Sequence, residues 1–213
     1  MLNLAEQEGL IEHIPFRGLK KLKEDNVRDR VLSHEEFENL LACCAPHTAR
    51  IVLMAYYTAM RKSEILKLKW DRVDLKNGFV RLKGSETKNG EGRTIPLHSR
   101  VMDMLQSLPR NIHGWVFTLN GRSVKDVKHS FNTACKMAEI QNFRFHDLRH
   151  TCINNWRLQG NDFFRIMAAS GHKTMSVFKR YNTVSESELR GLVTPPIATN
   201  MDTKTKNGLA TDG

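Results

Sequence analysis

The sequence predicts an α+β domain, mainly α-helical with a small antiparallel β-sheet of about three strands. Three observations carry that reading. Two Ser-x-x-Glu capping boxes, Ser33 to Glu36 and Ser185 to Glu188, each precede apolar residues at helical spacing. Two short β-rich runs, Phe79-Val80-Arg81-Leu82 and Arg93-Thr94-Ile95-Pro96-Leu97, flank a polar segment. A series of helical stretches then fills the chain beyond residue 99. With 213 residues, 40% of them hydrophobic, there is material for one core plus extensions.

Taken in order, residues 1–30 are polar and basic, with a fragment of helix (Leu2, Leu4, Leu10, Ile11, Ile14) ending before Pro15. They read as a basic linker at the end of an N-terminal domain that the chain lacks, or equally as a disordered basic arm. The compact part is expected over residues 31–190. Phe37, Leu40 and Leu41 follow the first capping box. Pro46 breaks the chain, and Thr48 to Ala59 is predicted to form a buried helix. Arg61 falls in the next turn, and Glu64, Ile65, Leu66 and Leu68 continue a short helical piece. The two β-rich runs form a hairpin across Gly84 to Gly92, which contains Asn89-Gly90, with a short third strand near Val73. Helices are predicted at about 99–108, 123–139, 146–159, 162–169 and 174–181. The second capping box opens a short helix carrying Leu189, Leu192 and Val193, stopped by Pro195-Pro196. Residues 191–213 are polar and expected to be a disordered tail.

Charge narrows the partner. Lys and Arg number 33 against 23 Asp and Glu, a formal net charge of +10. The stretch from Arg61 to Arg100 holds eleven basic residues against five acidic ones, so it carries most of the excess. A polyanion is the expected partner. The four cysteines, Cys43, Cys44, Cys135 and Cys152, show no CxxC spacing and read as reduced thiols. There is no secretory signal pattern, and the apolar run Ile51 to Met60 is too short to span a bilayer. The chain is therefore expected in the cytoplasm, associated with the nucleoid, and away from membranes.

Several residues carry candidate chemistry. Tyr56 and Tyr57 lie in the apolar run, whereas Tyr181 sits in the basic string Phe178-Lys179-Arg180-Tyr181-Asn182, nine residues past His172. With a pKa of about 10, a tyrosine is roughly 0.1% ionised at pH 7, so a nucleophilic role needs cations or a base beside it. His146 and Arg149 are three apart on a predicted helix and share a face. A guanidinium fork and an imidazole on one face suit the non-bridging oxygens of a phosphoryl group. His146 and His150 also have the i, i+4 spacing of a zinc-helix pair, but Asp147 stands where that motif needs Glu, and Arg149 would set a fixed positive charge beside the ion. Glu64, three residues past Arg61, is placed to hold its guanidinium. Each of these residues alone has an ordinary structural explanation; their order and spacing together point to chemistry on a phosphodiester.

The strings Thr58-Ala59-Met60-Arg61-Lys62-Ser63-Glu64-Ile65, His146-Asp147-Leu148-Arg149-His150-Thr151 and Gly171-His172-Lys173-Thr174, with the spacing to Arg180-Tyr181, resemble the catalytic domain of tyrosine recombinases, the phage integrase family. The resemblance covers roughly residues 30–190 and implies six active-site positions: Arg61, Lys88, His146, Arg149, His172 and Tyr181. Lys83 is the rival to Lys88, which is preferred because Thr87-Lys88 precedes the second strand in the family's usual arrangement. Ala59 stands where the family often has Gly, and Thr183 where a His often follows the tyrosine by two.

What the resemblance implies is a site-specific recombinase, or integrase, in which Tyr181 attacks a phosphodiester of duplex DNA. The step makes a 3′-phosphotyrosyl link and frees a 5′-hydroxyl, with neither metal, cofactor nor ATP. Arg61 and Arg149 would hold the non-bridging oxygens, His146 and His172 would add hydrogen bonds and proton transfer, and Lys88 would protonate the leaving oxygen. Double-stranded DNA attachment sites, self-association into a tetrameric synapse, and accessory DNA-bending proteins are the implied partners. A type IB topoisomerase-like enzyme and a non-cutting DNA-binding regulator are the alternatives.

Overall fold

Ser33 caps the first helix of the core as its capping box predicts: Glu36 N donates to Ser33 Oγ (3.1 Å) and Ser33 N donates to the Glu36 carboxylate (2.9 Å). The structure is a computed structural model and describes residues 2–14, 30–175 and 189–190. Helix α1 (Leu2–Gln7) is shorter than the predicted fragment because the chain turns at Gly9, where φ is +69°. None of its residues is buried. Helix α2 (His34–Cys43) follows the cap and buries Phe37 and Leu40. Helix α3 (Pro46–Thr58) begins with proline at its first turn, where the missing N–H costs nothing. Apolar on nearly every side, it runs through the middle of the core with Ile51, Val52 and Met54 fully buried.

Helix α3 ends at Ala59, whose left-handed φ of 51° turns the chain into the short helix α4 (Lys62–Leu66). The expected sheet follows with strands β1 (Val73–Asp74), β2 (Phe79–Leu82) and β3 (Arg93–Pro96), antiparallel in the order β1-β2-β3. Its register pairs Val80 with Ile95 and Leu82 with Arg93. Directly paired residues share a face, so Arg93 points to the same side as the buried Val80, Leu82 and Ile95.

One predicted boundary is corrected. The helix expected over 123–139 begins later, as α6 (Lys128–Met137), because Thr118–Leu119 (β4) and Arg122–Ser123 (β5) form a second hairpin. Its turn residues Asn120 and Gly121 both take positive φ, 51° and 76°, which is the conformation an Asn-Gly pair favours. The remaining helices are α5 (Ser99–Gln106), α7 (Asp147–Leu158) and α8 (Phe163–Ser170). Asp162 caps α8 by accepting from Phe164 N and Arg165 N. Of the helix expected over 174–181, only Thr174 and Met175 fall among the described residues, and the second capping box lies outside them.

Helix α3 packs against α7, α2 and α5, while α8 lies across β3 and α7. Most apolar side chains belong to one core built around Phe37, Met54, Leu105 and Phe131. A separate small cluster of Ala59, Cys152, Ile153 and Ile166 joins the end of α3 to α7 and α8. A fully buried aliphatic side chain contributes about 1.5–3 kcal/mol, so four residues anchor α8 only modestly, and polar contacts must complete the attachment. Among the described residues no helix is long and apolar enough to cross a membrane.

Candidate active site

The left-handed turn at Ala59 delivers Arg61 to the start of α4, where Glu64 holds it twice. Arg61 N donates to Glu64 Oε2 at 2.7 Å, and Arg61 Nη1 donates to Oε1 at 3.0 Å. Glu64 is buried, and it carries a second guanidinium. Arg93 Nη1 and Nη2 donate to its two oxygens at 3.1 and 2.5 Å, while Arg93 Nε donates to the Ala169 carbonyl at 3.0 Å. Burial pushes the Glu64 carboxyl up, but the hydrogen bonds and charge of Arg93, with those of Arg61, hold it below the ordinary carboxylate range. The carboxylate therefore stays ionised and ties the start of α4, strand β3 and, through Arg93, the last turn of α8 together.

A second arm comes from α7 and α8. Asp147 in the first turn of α7 is buried and accepts from Arg144 N at 2.8 Å, fixing the entry of the chain into the helix. Arg149, with 2% of its surface exposed, reaches back to donate to the Ala59 carbonyl and, through Nη2, to His172 Nε2 at 3.0 Å. Helix α8 stops at Gly171, whose φ of +75° turns His172 back into the site. A Cβ on Gly171 would lie 3.1 Å from Arg93 Cδ and 3.2 Å from Nη1, so both the turn and the buried arginine require glycine here. The His172 ring also lies 2.8 Å, through Nδ1, from Ser170 Oγ. Burial first, and then the charges of Arg149 and Arg61, push its pKa down to about 3, so the imidazole is neutral.

His146 occupies the N-cap position of α7, exposed at the rim, its ring 5.4 Å from His150 and edge-on to it. Its pKa is lowered by desolvation and then by the charges of Arg149 and Arg61, against an opposing pull from Asp147. Both imidazoles thus feel both candidate arginines, which brings Arg61, His146, Arg149 and His172 into one electrostatic site. Lys88 sits exposed on the loop between β2 and β3. That loop is fastened to the site by its neighbour, since Asn89 Nδ2 donates to the Gly171 carbonyl at 2.9 Å. Thr87, Asn89, Arg93, Met167, Gly171 and His172 line a cleft of about 440 Å³ between loop and helix. Lys83, the alternative to Lys88, is also exposed. Tyr181 lies outside the described residues.

Three residues of the site escape a reading by motif: Arg93, Asn89 and Ser170. For Arg93 a signal exists in the two-residue period of β3. Ile95 must face the core, and Arg93, two residues before it, faces the same way. Asn89 carries no comparable local signal, because its partner, the Gly171 carbonyl, lies across the α8–hairpin contact, and Ser170 meets its partner only through the left-handed turn at Gly171.

Two guanidiniums and two imidazoles form a site suited to an anion that gains charge as it reacts. Comparison with known proteins identifies the family. The sequence profile of the phage integrase family matches residues 30–188. The chain is 34% identical over 186 residues to the shufflon-specific DNA recombinase of Escherichia coli, covering 85% of this chain and 47% of that protein. It is 26% identical over 205 residues to the integrase of Salmonella phage P22, covering 89% and 52% respectively. The chain thus spans about half the length of the curated relatives it matches. Among solved structures it is similar to the catalytic domain of bacteriophage HP1 integrase, with a TM-score of 0.60 and 26% identity over 81% of this chain and 98% of that one.

Proposed function

The chain belongs to the phage integrase family, and from that premise we propose that it is the catalytic part of a site-specific tyrosine recombinase. It cleaves and rejoins duplex DNA through a 3′-phosphotyrosyl intermediate. The observation that carries this reading is the convergence of Arg61, Arg149 and His172, each held by hydrogen bonds from separate elements. Residues 31–190 form the catalytic domain, residues 1–30 the basic linker of a further DNA-clamping domain, and residues 191–213 a tail.

Tyr181 is the nucleophile in this reading. Its oxygen attacks the scissile phosphorus while Arg61 and Arg149 bind the non-bridging oxygens. His146 and His172 add hydrogen bonds as charge builds in the phosphorane, and Lys88 gives its proton to the departing 5′ oxygen. Losing one such preorganised donor costs about 10²–10³ in rate. The phosphotyrosyl link retains the energy of the phosphodiester, so a second strand's 5′-hydroxyl can reverse the step without ATP. The relatives' names, a DNA recombinase and phage integrases, support double-stranded DNA as the substrate. Recombination further requires a synapse of protomers, which we assign as a tetramer assisted by DNA-bending proteins. The apolar stripe Leu189, Leu192 and Val193 would dock on a neighbouring protomer.

Incubation with supercoiled plasmid in EDTA, quenched with SDS, tests the reaction. The wild type is expected to become covalently bound to DNA. Tyr181→Phe should form no adduct while binding DNA with nearly the same affinity. Adduct formed by the Phe variant would sink the assignment of Tyr181.

A further inference from the structure

Ser170 is fully buried at the end of α8, and the mechanism above gives it no role. Its Oγ lies 2.8 Å from His172 Nδ1 and 3.4 Å from the Met167 carbonyl. The other ring nitrogen, Nε2, lies 3.0 Å from Arg149 Nη2. A guanidinium can only donate, so Nε2 accepts in this arrangement. In a neutral ring the single proton is then on Nδ1, which donates to Ser170 Oγ, and the serine proton goes to the Met167 carbonyl. The protons on these contacts are thereby assigned, and the result conflicts with the task proposed for His172. With its Nε2 lone pair turned toward Arg149, the ring cannot donate to a phosphate oxygen from that nitrogen.

We infer that Ser170 is a positioning residue whose hydroxyl lets His172 change tautomer when a phosphate enters the site. The inference rests on the anion-binding reading above. A non-bridging oxygen is a stronger acceptor for Arg149 than an imidazole nitrogen, so its arrival releases Nε2. The Ser170 hydroxyl then rotates from the Met167 carbonyl to donate to Nδ1. The ring loses its Nδ1 proton to solvent and gains one at Nε2 from solvent, with no net change in protonation. Nε2–H can now donate to the phosphate. A backbone carbonyl or a carboxylate at this place would accept only, and would hold the proton on Nδ1. A hydroxyl is both donor and acceptor and satisfies either tautomer. Simple protonation of the ring is the costlier route, because burial and the charges of Arg149, Arg61, His150 and Arg93 all oppose an imidazolium.

The test is long-range proton–nitrogen NMR on the full chain labelled at histidine and arginine, with and without inorganic phosphate, for wild type and Ser170→Ala. In free wild type the His172 proton is expected on Nδ1; at saturating phosphate it is expected on Nε2, together with a shift of the Arg149 Nε signal. Ser170→Ala should bind phosphate about tenfold more weakly, an effect of the size that outer partners of metal-ligating histidines exert at their lower end. Ser170→Thr, which keeps the hydroxyl, should switch as the wild type does. A proton already on Nε2 in the free protein overturns the inference, as does a Ser170→Ala variant that switches and binds like wild type. If Arg149 responds to phosphate but the His172 proton stays on Nδ1, the Ser170 role alone fails. If Arg149 does not respond, the anion site itself fails and the Ser170 role with it.

Discussion

Arg61 and Arg149 belong to one site, yet different chemistry keeps each in place. Arg61 is held by a carboxylate: Glu64 bonds its backbone and its guanidinium, and shares itself with Arg93. Among the described residues, Arg149 donates to two dipoles, the Ala59 carbonyl and a neutral imidazole. The side chain of Arg61 is 21% exposed, whereas Arg149 as a residue is only 2% exposed. A fixed charge makes a stiff anchor, because separating a buried ion pair is expensive. Carbonyl and imidazole acceptors are weaker partners, and an arriving phosphate can outcompete them. In the proposed mechanism this gives a division of labour: the carboxylate arm locates the site, and the dipole arm exchanges its partners for the phosphate.

The largest effect should come from breaking the carboxylate arm. Glu64→Gln removes the one negative charge between two guanidiniums and leaves Arg93, with its side chain 5% exposed, uncompensated. Removing one member of a buried pair costs about 3–5 kcal/mol, and denaturant unfolding should show a loss of that order. Replacing both partners by apolar groups is far less damaging in general. The double variant Glu64→Leu with Arg93→Met should therefore lose far less than the sum of Glu64→Leu and Arg93→Met made singly, a coupling that their double-mutant cycle reads directly. A single-variant cost under about 1 kcal/mol would show that Glu64 is not what fastens β3 and α8 to α4.

Acid sharpens the contrast from the other side, through His172. Its folded pKa of about 3 lies below the ordinary histidine value near 6.5. Between those two pH values the unfolded chain binds a proton that the folded chain refuses, so stability rises with pH across that window. The contribution is complete above about pH 6.5 and is lost as pH falls toward 3, by at most about 1.4 kcal/mol for each pH unit. Unfolding measured at pH 7 and pH 5 should therefore show a smaller acid loss for His172→Gln than for wild type, by roughly 1–2 kcal/mol. Equal losses would mean that the ring is free to protonate and that the dipole arm is less enclosed than the geometry indicates.

Much of both arms could be read from sequence, for reasons particular to each residue. Arg61 and Glu64 are three apart, and His146 and Arg149 share a helix face, so local geometry alone joins them. The capping box at Ser33 and the buried α3 follow from equally short-range rules. Arg93 is harder, because its burial depends on α8 crossing β3, a contact between residues more than seventy positions apart. The alternation in β3 said only that Arg93 faces inward, not what it meets there. Asn89 depends on the same crossing, whereas Ser170 meets His172 through the local turn at Gly171. The second hairpin is a different case: Asn120-Gly121 is a strong local turn signal, but a helical reading of the apolar residues beyond it, Val124 and Val127, hid the strands.

The smallest effect concerns Ala59, the turn that supports Arg149. Its φ of 51° is left-handed, a conformation that costs a residue with a Cβ roughly 1–2 kcal/mol and that favours glycine at a helix C-terminus. Relief of that strain alone would make Ala59→Gly stabilising. Two terms oppose it. The Ala59 methyl is fully buried in the cluster with Cys152, Ile153 and Ile166, and losing a buried methyl costs about 0.8 kcal/mol. Glycine also adds roughly 0.4–1 kcal/mol of unfolded-chain entropy. These terms nearly cancel, so Ala59→Gly should leave stability within about 0.5 kcal/mol of wild type. That balance accounts for an alanine at a position where backbone geometry alone would choose glycine. A gain above about 1 kcal/mol would show that the methyl does no packing, and that the small cluster beneath the dipole arm is looser than the core beside it.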